Sequence, residues 1–345
     1  MKKSLLALAV LTAVTGAASA QSSVTLYGKV DLGMVLDSGN NSGKSIRLAS
    51  GVTGGSRLGF KGVEDLGGGM KASFQLETGY CADSAAGAPN FCTGSNNFMG
   101  RQAHGDLTGA FGAISAGRQY SLGFNNLATI DPFGAGYAGQ ANNIDSATST
   151  YLVDPSGIRL NNSVVYSTPN VAGFTGSAEV AFGEQTGNWV AGRETGAGVN
   201  YASGPAYVGF TFYDVANAGG NGAAKKVFTF GGSYDFGVVK LHALGQKLSG
   251  PSTLDALNIM AGVTVHLAGG NLMASYVHHN DRVAATNKDA SQIGIGYQYP
   301  LSKRTALYTS FARIQNQHGA NFTVGNATET GTGDKAFNAG VVHNF

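Results

Sequence analysis

The segment Ala256-Leu-Asn-Ile-Met-Ala-Gly-Val-Thr-Val-His-Leu267 alternates between two kinds of side chain. One face is almost purely hydrocarbon and carries Leu257, Ile259, Ala261, Val263, Val265 and Leu267. The other face is polar or small and carries Ala256, Asn258, Met260, Gly262, Thr264 and His266. Successive side chains of a β-strand point to opposite faces, so this pattern predicts a strand between an apolar and a polar environment. Its length suits a strand that crosses a membrane within a barrel.

The same alternation recurs along the whole chain and predicts sixteen strands. They begin near Val24, Ser45, Met70, Arg101, Ala113, Asn161, Phe174, Glu194, Ala206, Lys225, Val238, Ala256, Asn271, Ala290, Lys303 and Lys335. Short turns alternate with long connections, the arrangement typical of outer-membrane barrels. We therefore predict an all-β, sixteen-stranded antiparallel transmembrane barrel. A soluble β-sandwich is the alternative, but the many glycines inside strands suit a closed barrel better.

The ends and the composition narrow the class further. Residues 1–20 join two lysines, an apolar run and Ala18-Ser-Ala20, the pattern of a secretory signal peptide cleaved after Ala20. The remaining 345 − 20 = 325 residues form the predicted barrel, 21–345, with 22 − 2 = 20 basic and 20 acidic side chains. This balance gives no reason to expect a nucleic-acid partner. After residue 20 there is no apolar run long enough for a transmembrane helix.

The longest connection runs from Tyr120 to Leu160. Structureless connections of this length are uncommon and are usually functional or disordered. This one contains six large apolar side chains, which a disordered tether lacks: Phe124, Phe133, Tyr137, Ile144, Tyr151 and Leu152. We predict an ordered loop packed against a wall of the barrel.

The sequence contains possible nucleotide-binding and metal-binding residues, but the neighbouring residues that such sites require are absent from the sequence around them. Gly134-Ala-Gly-Tyr-Ala-Gly139 matches a dinucleotide fingerprint, but no amphipathic helix follows it. The seven histidines form no metal-binding spacing, so we expect no metal, cofactor or catalytic residue. Cys81 and Cys92 are the two cysteines, and in an exported protein they predict a loop-closing disulfide.

Basic side chains are the informative polar residues of the predicted lumen. Arg57 and Lys61 share the strand face opposite Leu58 and Phe60, so they point inward. Arg159 is in phase with Ser163 and Val165 and is also predicted to point inward. A lipid-facing position is disfavoured because a lysine or arginine costs about 2 to 4 kcal/mol at the bilayer midplane.

Six motifs together resemble the trimeric general-diffusion porins of Gram-negative outer membranes. They are Ser23-Val-Thr-Leu-Tyr-Gly28, Ser56-Arg-Leu-Gly-Phe-Lys-Gly-Val-Glu-Asp-Leu-Gly67, Gly117-Arg-Gln-Tyr120, Asp131-Pro-Phe-Gly134, Arg159 followed by Asn162-Ser163, and Phe337-Asn-Ala-Gly-Val-Val-His-Asn-Phe345. The resemblance covers 21–345 and implies that the third long loop, 120–160, folds into the lumen as a constriction. It also implies an arginine cluster on the facing wall, at Arg57, Arg101 and Arg159.

The resemblance further implies how the protein is assembled. We expect a homotrimer in the outer membrane, in contact with lipid and lipopolysaccharide, with loop 80–100 near the subunit contacts. The terminal Phe345 should act as the signal read by the barrel-assembly machinery, and the last strand should pair with the first.

The function expected from the sequence is a passive, water-filled channel for small hydrophilic solutes and ions. The inward basic residues outnumber the loop acids Asp131, Asp145 and Asp154, which predicts a weak preference for anions. Two alternatives stay open. An outer-membrane hydrolase would need a serine–histidine or paired-acid site, and a sugar-specific porin would need more aromatic residues in the lumen than Tyr27 and Tyr308.

Overall fold

The computed structural model describes residues 23–39, 43–84, 98–145, 157–217, 224–250 and 254–345. Within them lie seventeen strand segments, which are β1 Ser23–Ser38, β2 Ser45–Ser50, β3 Arg57–Gly67, β4 Met70–Gly79, β5 Gln102–Gly109, β6 Gly112–Tyr120, β7 Arg159–Ser167, β8 Phe174–Ala181, β9 Glu194–Ser203, β10 Ala206–Val215, β11 Lys225–Asp235, β12 Val239–Ser249, β13 Asp255–Leu267, β14 Gly270–Asp281, β15 Ala290–Pro300, β16 Thr305–Asn316 and β17 Lys335–Asn344. The helices are α1, Leu122–Ile130, and a 3₁₀ helix, Ala141–Asp145. None of the helices in these ranges is long and apolar enough to cross a membrane.

The strands form one closed antiparallel sheet. From β3 to β17 each segment pairs with the next in sequence, and β17 pairs with β1 from Lys29↔Asn344 to Ser38↔Lys335. Segments β2 and β3 pair with the two halves of β1, so together they occupy one position in the barrel. The barrel therefore has 17 − 1 = 16 strands, as predicted. The predicted pairing of the last strand with the first is confirmed.

The second barrel strand is interrupted at residues 51–56. Gly51 has φ +75°, a backbone conformation that a glycine adopts without strain. The interruption is fixed from the neighbouring strand, because Asp31 Oδ2 accepts hydrogen bonds from Thr53 N at 2.7 Å and Thr53 Oγ1 at 2.6 Å. The alternation beginning at Ser45 did not predict this break, which turns the backbone carbonyl of Val52 toward the constriction loop.

Side chains alternate across the barrel wall as the sequence predicts. On β13, Leu257 is 38% exposed and Ile259 is 47% exposed on the outer face, whereas Asn258 on the inner face is fully buried. The outer wall is thus apolar along its strands, as contact with lipid requires. Short turns such as 268–269 and 301–304 lie at one end of the barrel, which is the periplasmic end in an outer-membrane protein, and the long loops lie at the other.

The described residues form three hydrophobic clusters, and the largest lies inside the barrel, between the loops and the wall. The loop between β6 and β7 folds inward, as predicted, and a second loop at 317–334 folds against it. Their buried apolar side chains pack with inward residues of β12 to β16: Leu127, Ile130, Ile144, Phe322 and Val324 from the loops, and Leu244, Met260, Val277 and Ile314 from the wall. The loops therefore leave only part of the lumen open.

Candidate functional site: the constriction of the lumen

The constriction loop begins with α1, which the barrel wall holds in place. Ser121 caps the helix, its Oγ accepting a hydrogen bond from Phe124 N at 3.1 Å. Three hydrogen bonds join the helix to the wall. Leu122 N donates to the Tyr213 hydroxyl at 2.7 Å, and the Tyr207 hydroxyl donates to Asn126 Oδ1 at 3.0 Å. At the end of the helix, His242 Nδ1 donates to Ile130 O at 2.6 Å. The helix is therefore fixed at its start, middle and end.

Asp131 ends the helix and organises the turn that follows it. Its Oδ1 accepts from Phe133 N at 3.1 Å, and its Oδ2 accepts from Ala135 N and Ala141 N, both at 3.0 Å. The residue is 4% exposed, and burial raises its pKa to about 6 although the three N–H groups oppose the shift. This position corrects the expectation that Asp131 faces permeating ions, because its carboxylate is turned into the loop.

The second half of the loop docks on the opposite side of the lumen. Tyr137 N donates to Val52 O at 2.8 Å, and Ala138 N donates to Ser310 Oγ at 3.0 Å. Gly136 has no room for a side chain, because a Cβ there would lie 2.3 Å from Thr53 O. The glycine-rich sequence Gly134–Gly139 thus permits close packing of the loop on the wall, which explains it without a bound nucleotide.

Four basic side chains line the open space beside the loop. Lys29, Arg57, Arg101 and Arg159, here called the basic wall, border a cavity of about 350 Å³. The loop contributes Phe124, Ala128, Gly134 and Ala135 to the other side of this cavity. Three of the predicted residues are therefore brought together, and the loop opposite them presents apolar side chains and backbone.

Hydrogen bonds fix the geometry of the two inner arginines. Arg101 Nη2 and Arg159 Nη2 both donate to the Tyr120 hydroxyl, at 2.6 Å and 2.9 Å. The Arg159 guanidinium also lies 4.5 Å from the centre of the Tyr120 ring. Arg101 is 4% exposed, and its Nε donates to Glu77 Oε1 at 2.7 Å. Arg101 is thus the most rigidly held member of the basic wall.

Glu77 is the acid that balances part of this charge. Besides Arg101, it faces Arg57, whose Nε lies 3.7 Å from Oε2, and it accepts from the Tyr27 hydroxyl at 3.0 Å. Lys29 Nζ donates at 2.9 Å to Thr53 Oγ1, which in turn donates to Asp31. Two buried acids, Glu77 and Asp31, therefore lie within the network that holds four cations.

Arg159 reaches the cavity by a different route from the predicted one. Strand β7 contains a bulge, since Gly117 pairs with Ser163 but Gln119 pairs with Leu160. Asn162 has φ +53°, which accommodates the extra residue. The bulge shifts the alternation, so Leu160 is the buried inward residue, and the position of Arg159 follows from its pairing with Tyr120 instead of from phase.

The other predicted residues lie outside the cavity or outside the described residues. Lys61 is exposed on β3, with its Nζ 5.4 Å from the centre of the Tyr27 ring, and it does not line the cavity. The side chain of Asp145, all of Asp154 and Cys92 lie outside the described part of the chain. The predicted Cys81–Cys92 disulfide therefore stays a prediction.

Lys29 and Glu77 are the constriction residues that sequence reasoning missed. Both lie in phase with inward residues of their strands, Lys29 with Tyr27 and Glu77 with Gln75. Phase alone could therefore have placed them in the lumen. Their role depends on contacts between different strands, which alternation within one strand does not reveal.

One cluster contains the residue types of a hydrolase but not the geometry. His104 Nδ1 lies 2.9 Å from Asp106 Oδ1 and 3.2 Å from Ser115 Oγ. In a catalytic triad the serine and the carboxylate bond to different ring nitrogens. Here Asp106 and Ser115 both contact Nδ1. His104 therefore cannot accept a proton from the serine at one ring nitrogen while the aspartate orients the ring at the other.

The barrel is closed, has sixteen strands and has an apolar outer wall. Inside, a folded loop that faces a basic wall narrows it. These features define a porin of the outer membrane. The chain belongs to the Gram-negative porin family, whose sequence profile matches residues 7–319. It is an outer-membrane porin of a Gram-negative bacterium, and its relatives are channels.

The similarity to individual porins extends over nearly the whole chain. The sequence is 37% identical to outer membrane porin protein 32 of Delftia acidovorans, over 92% of this chain and 90% of that protein. It is 31% identical to an outer membrane porin protein of Bordetella pertussis, over 92% of this chain and 95% of that protein. The solved structure of the anion-selective porin from Comamonas acidovorans superposes with a TM-score of 0.77 at 31% identity, covering 94% of this chain and all of that one.

Proposed function

We propose that this porin is a passive channel for small hydrophilic solutes and ions, with a weak preference for anions. The observation that carries the proposal is the asymmetry of the constriction. Four cationic side chains line the cavity, whereas none of the described residues that line it is acidic. Fixed charge beside a narrow aqueous passage raises the local concentration of the opposite ion. The Comamonas acidovorans porin, which shares this fold, is anion-selective.

The preference is weak because acids within the network offset part of the field. Glu77 and Asp31 reduce the charge of the four-cation cluster to 4 − 2 = +2. Water and mobile ions in the passage screen the remainder, and the screening strengthens with salt. Arg101 mainly positions Tyr120 and Glu77, so Lys29, Arg57 and Arg159 act most directly on the permeating ion.

Ion substitution in planar bilayers tests this proposal. Replacing chloride by gluconate, a larger anion, should lower the single-channel conductance. Replacing potassium by the larger cation Tris should lower it less, because cations carry the smaller share of the current. The reverse order would contradict the proposed preference, and hydrolytic activity of the purified porin would favour the enzyme alternative.

We also propose a homotrimer, on the basis of the resemblance to trimeric porins. The apolar outer wall would then contact lipid and lipopolysaccharide where it does not contact another subunit. Phe345 would engage the barrel-assembly machinery. Light scattering in mild detergent should give three times the subunit mass, and a monomeric mass would contradict the proposal.

A further inference from the structure

A second cavity lies on the periplasmic side of the constriction loop and has a different chemistry. It measures about 380 Å³ and lies between α1 and the inner face of β7 to β10. Its polar lining consists of hydroxyl and amide groups, including Asn125, Asn126, Thr129, Ser177, Asn200 and Tyr207. None of its described lining residues carries a charge at neutral pH. We call this cavity the neutral cleft.

Helix α1 separates the neutral cleft from the basic wall. Leu122, Asn125, Asn126 and Thr129 face the cleft, and their spacing of i, i+3, i+4 and i+7 defines one side of a helix. Phe124 and Ala128, on an adjacent side, face the basic wall. One helix thus presents an amide and hydroxyl surface to one compartment and an apolar surface to the other.

Asn126 supplies the observation that points to a ligand. It is 4% exposed, and its Oδ1 accepts from the Tyr207 hydroxyl at 3.0 Å. Its Nδ2 has no hydrogen-bond partner among the described residues. If the amide oxygen and nitrogen were exchanged, the nitrogen would bond to Tyr207 and the oxygen would have no partner among the described residues. One of the two amide atoms is therefore unpaired in either orientation. Buried polar groups are nearly always paired. Nδ2 has almost no accessible surface, but Asn126 lines the cavity, so a small rotation of its side chain would present the unpaired amide to a partner there.

We propose that the neutral cleft binds uncharged polyhydroxylated solutes of monosaccharide size during their passage. Such a solute offers a hydroxyl oxygen to Asn126 Nδ2 and further hydroxyls to Ser177 and Asn200. An ion gains little in the cleft because no opposite charge lies among its described lining residues, and its volume is within the range of small-molecule sites. The inference rests on the proposed diffusion function, to which it adds a solute class and a location.

Current block by D-glucose in planar bilayers tests the neutral cleft. In 1 M KCl, where fixed charge is screened, glucose should reduce the wild-type current in a saturable manner beyond the fall in bulk conductivity. Asn126→Leu removes the unpaired amide, and Asn200→Ala removes a cleft amide from the wall without touching the loop. Each should raise the half-blocking concentration about fivefold, the change expected for one neutral hydrogen bond.

Ser115→Ala is the matched control, because it removes a lumen hydroxyl outside the cleft and should leave the block unchanged. Reversal potentials of each variant at low salt, without glucose, report separately on the anion preference. If Asn126→Leu alters the reversal potential, the substitution has moved the loop. The half-blocking concentration of Asn200→Ala then tests the inference alone. A wild-type current that only follows bulk conductivity, or an undiminished block in Asn200→Ala, would overturn the inference.

Discussion

Replacing Arg57 by glutamine tests how much a single charge of the basic wall contributes to selectivity. Arg57 lines the constriction cavity, and its Nε lies 3.7 Å from Glu77 Oε2. Arg101 holds Tyr120 and Glu77 by hydrogen bonds, whereas the Arg57 side chain is 28% exposed and stands beside the loop without ordering it. Arg57→Gln should therefore remove one positive charge while leaving the barrel and the loop in place.

The size of the effect follows from the cavity. A volume of about 350 Å³ corresponds to a sphere about 4 Å in radius, so a central ion lies about 6 Å from the guanidinium. One unit charge at that distance in water contributes about 0.7 kcal/mol, which the Debye length of about 10 Å at 0.1 M reduces to about 0.4 kcal/mol. Because anion and cation shift in opposite directions, the anion-to-cation permeability ratio should fall about fourfold.

Reversal potentials under a potassium chloride gradient measure this ratio. At 1 M salt, where the Debye length is about 3 Å, the same substitution should change the ratio by only about 1.4-fold. Glu77→Gln should shift the ratio the other way, because it removes an acid of the network. Lys303→Gln, in a periplasmic turn, is the matched control and should have little effect. A ratio unchanged by Arg57→Gln at 0.1 M would refute the reasoning.

Three further predictions concern assembly, pH and the cysteine pair. Phe345 exchanges two backbone hydrogen bonds with Gly28, both at 3.0 Å, so deleting it should reduce the folded, heat-modifiable form on gels. Burial raises the pKa of Asp131 to about 6, so lowering the pH from about 7.5 to about 5 should protonate it and raise the anion-to-cation ratio through the loss of a negative charge behind the loop surface. Asp131→Asn should remove this contribution and leave only that of the histidines, which become charged over the same range. Reduction of a Cys81–Cys92 disulfide, worth about 3 kcal/mol for a short loop, should increase proteolysis between the two cysteines while conductance persists; global unfolding would contradict a local role.

The barrel itself could be predicted from alternation, because lipid and water impose opposite requirements on successive residues of every strand. The segment Ala256–Leu267 illustrates this, since its apolar set lies on the outer face and Asn258 is buried on the inner face. Closure of the sheet also followed, because the last strand alternates as far as Phe345. Both features follow from the alternation of apolar and polar residues within single strands, which can be observed in one sequence.

The constriction was predicted less completely because it depends on contacts between distant strands. The ion pair between Glu77 of β4 and Arg101, the residue before β5, joins two separate parts of the chain, and the alternation of neither part predicts it. The bulge at Asn162 shifts the phase of β7, so the inward position of Arg159 was predicted for the wrong reason. Asp131 was expected to face the channel, but the turn after α1 needs its carboxylate to bind three N–H groups.

The zero-current potential of the wild-type porin in dilute potassium chloride tests the central claim most directly. With a tenfold gradient and mean salt near 0.1 M, the potential should have the sign of a chloride-selective channel. The potential should fall toward zero as both sides are raised toward 1 M, where the Debye length is about 3 Å. A potential of the cation-selective sign at low salt would contradict the claim that the basic wall governs permeation.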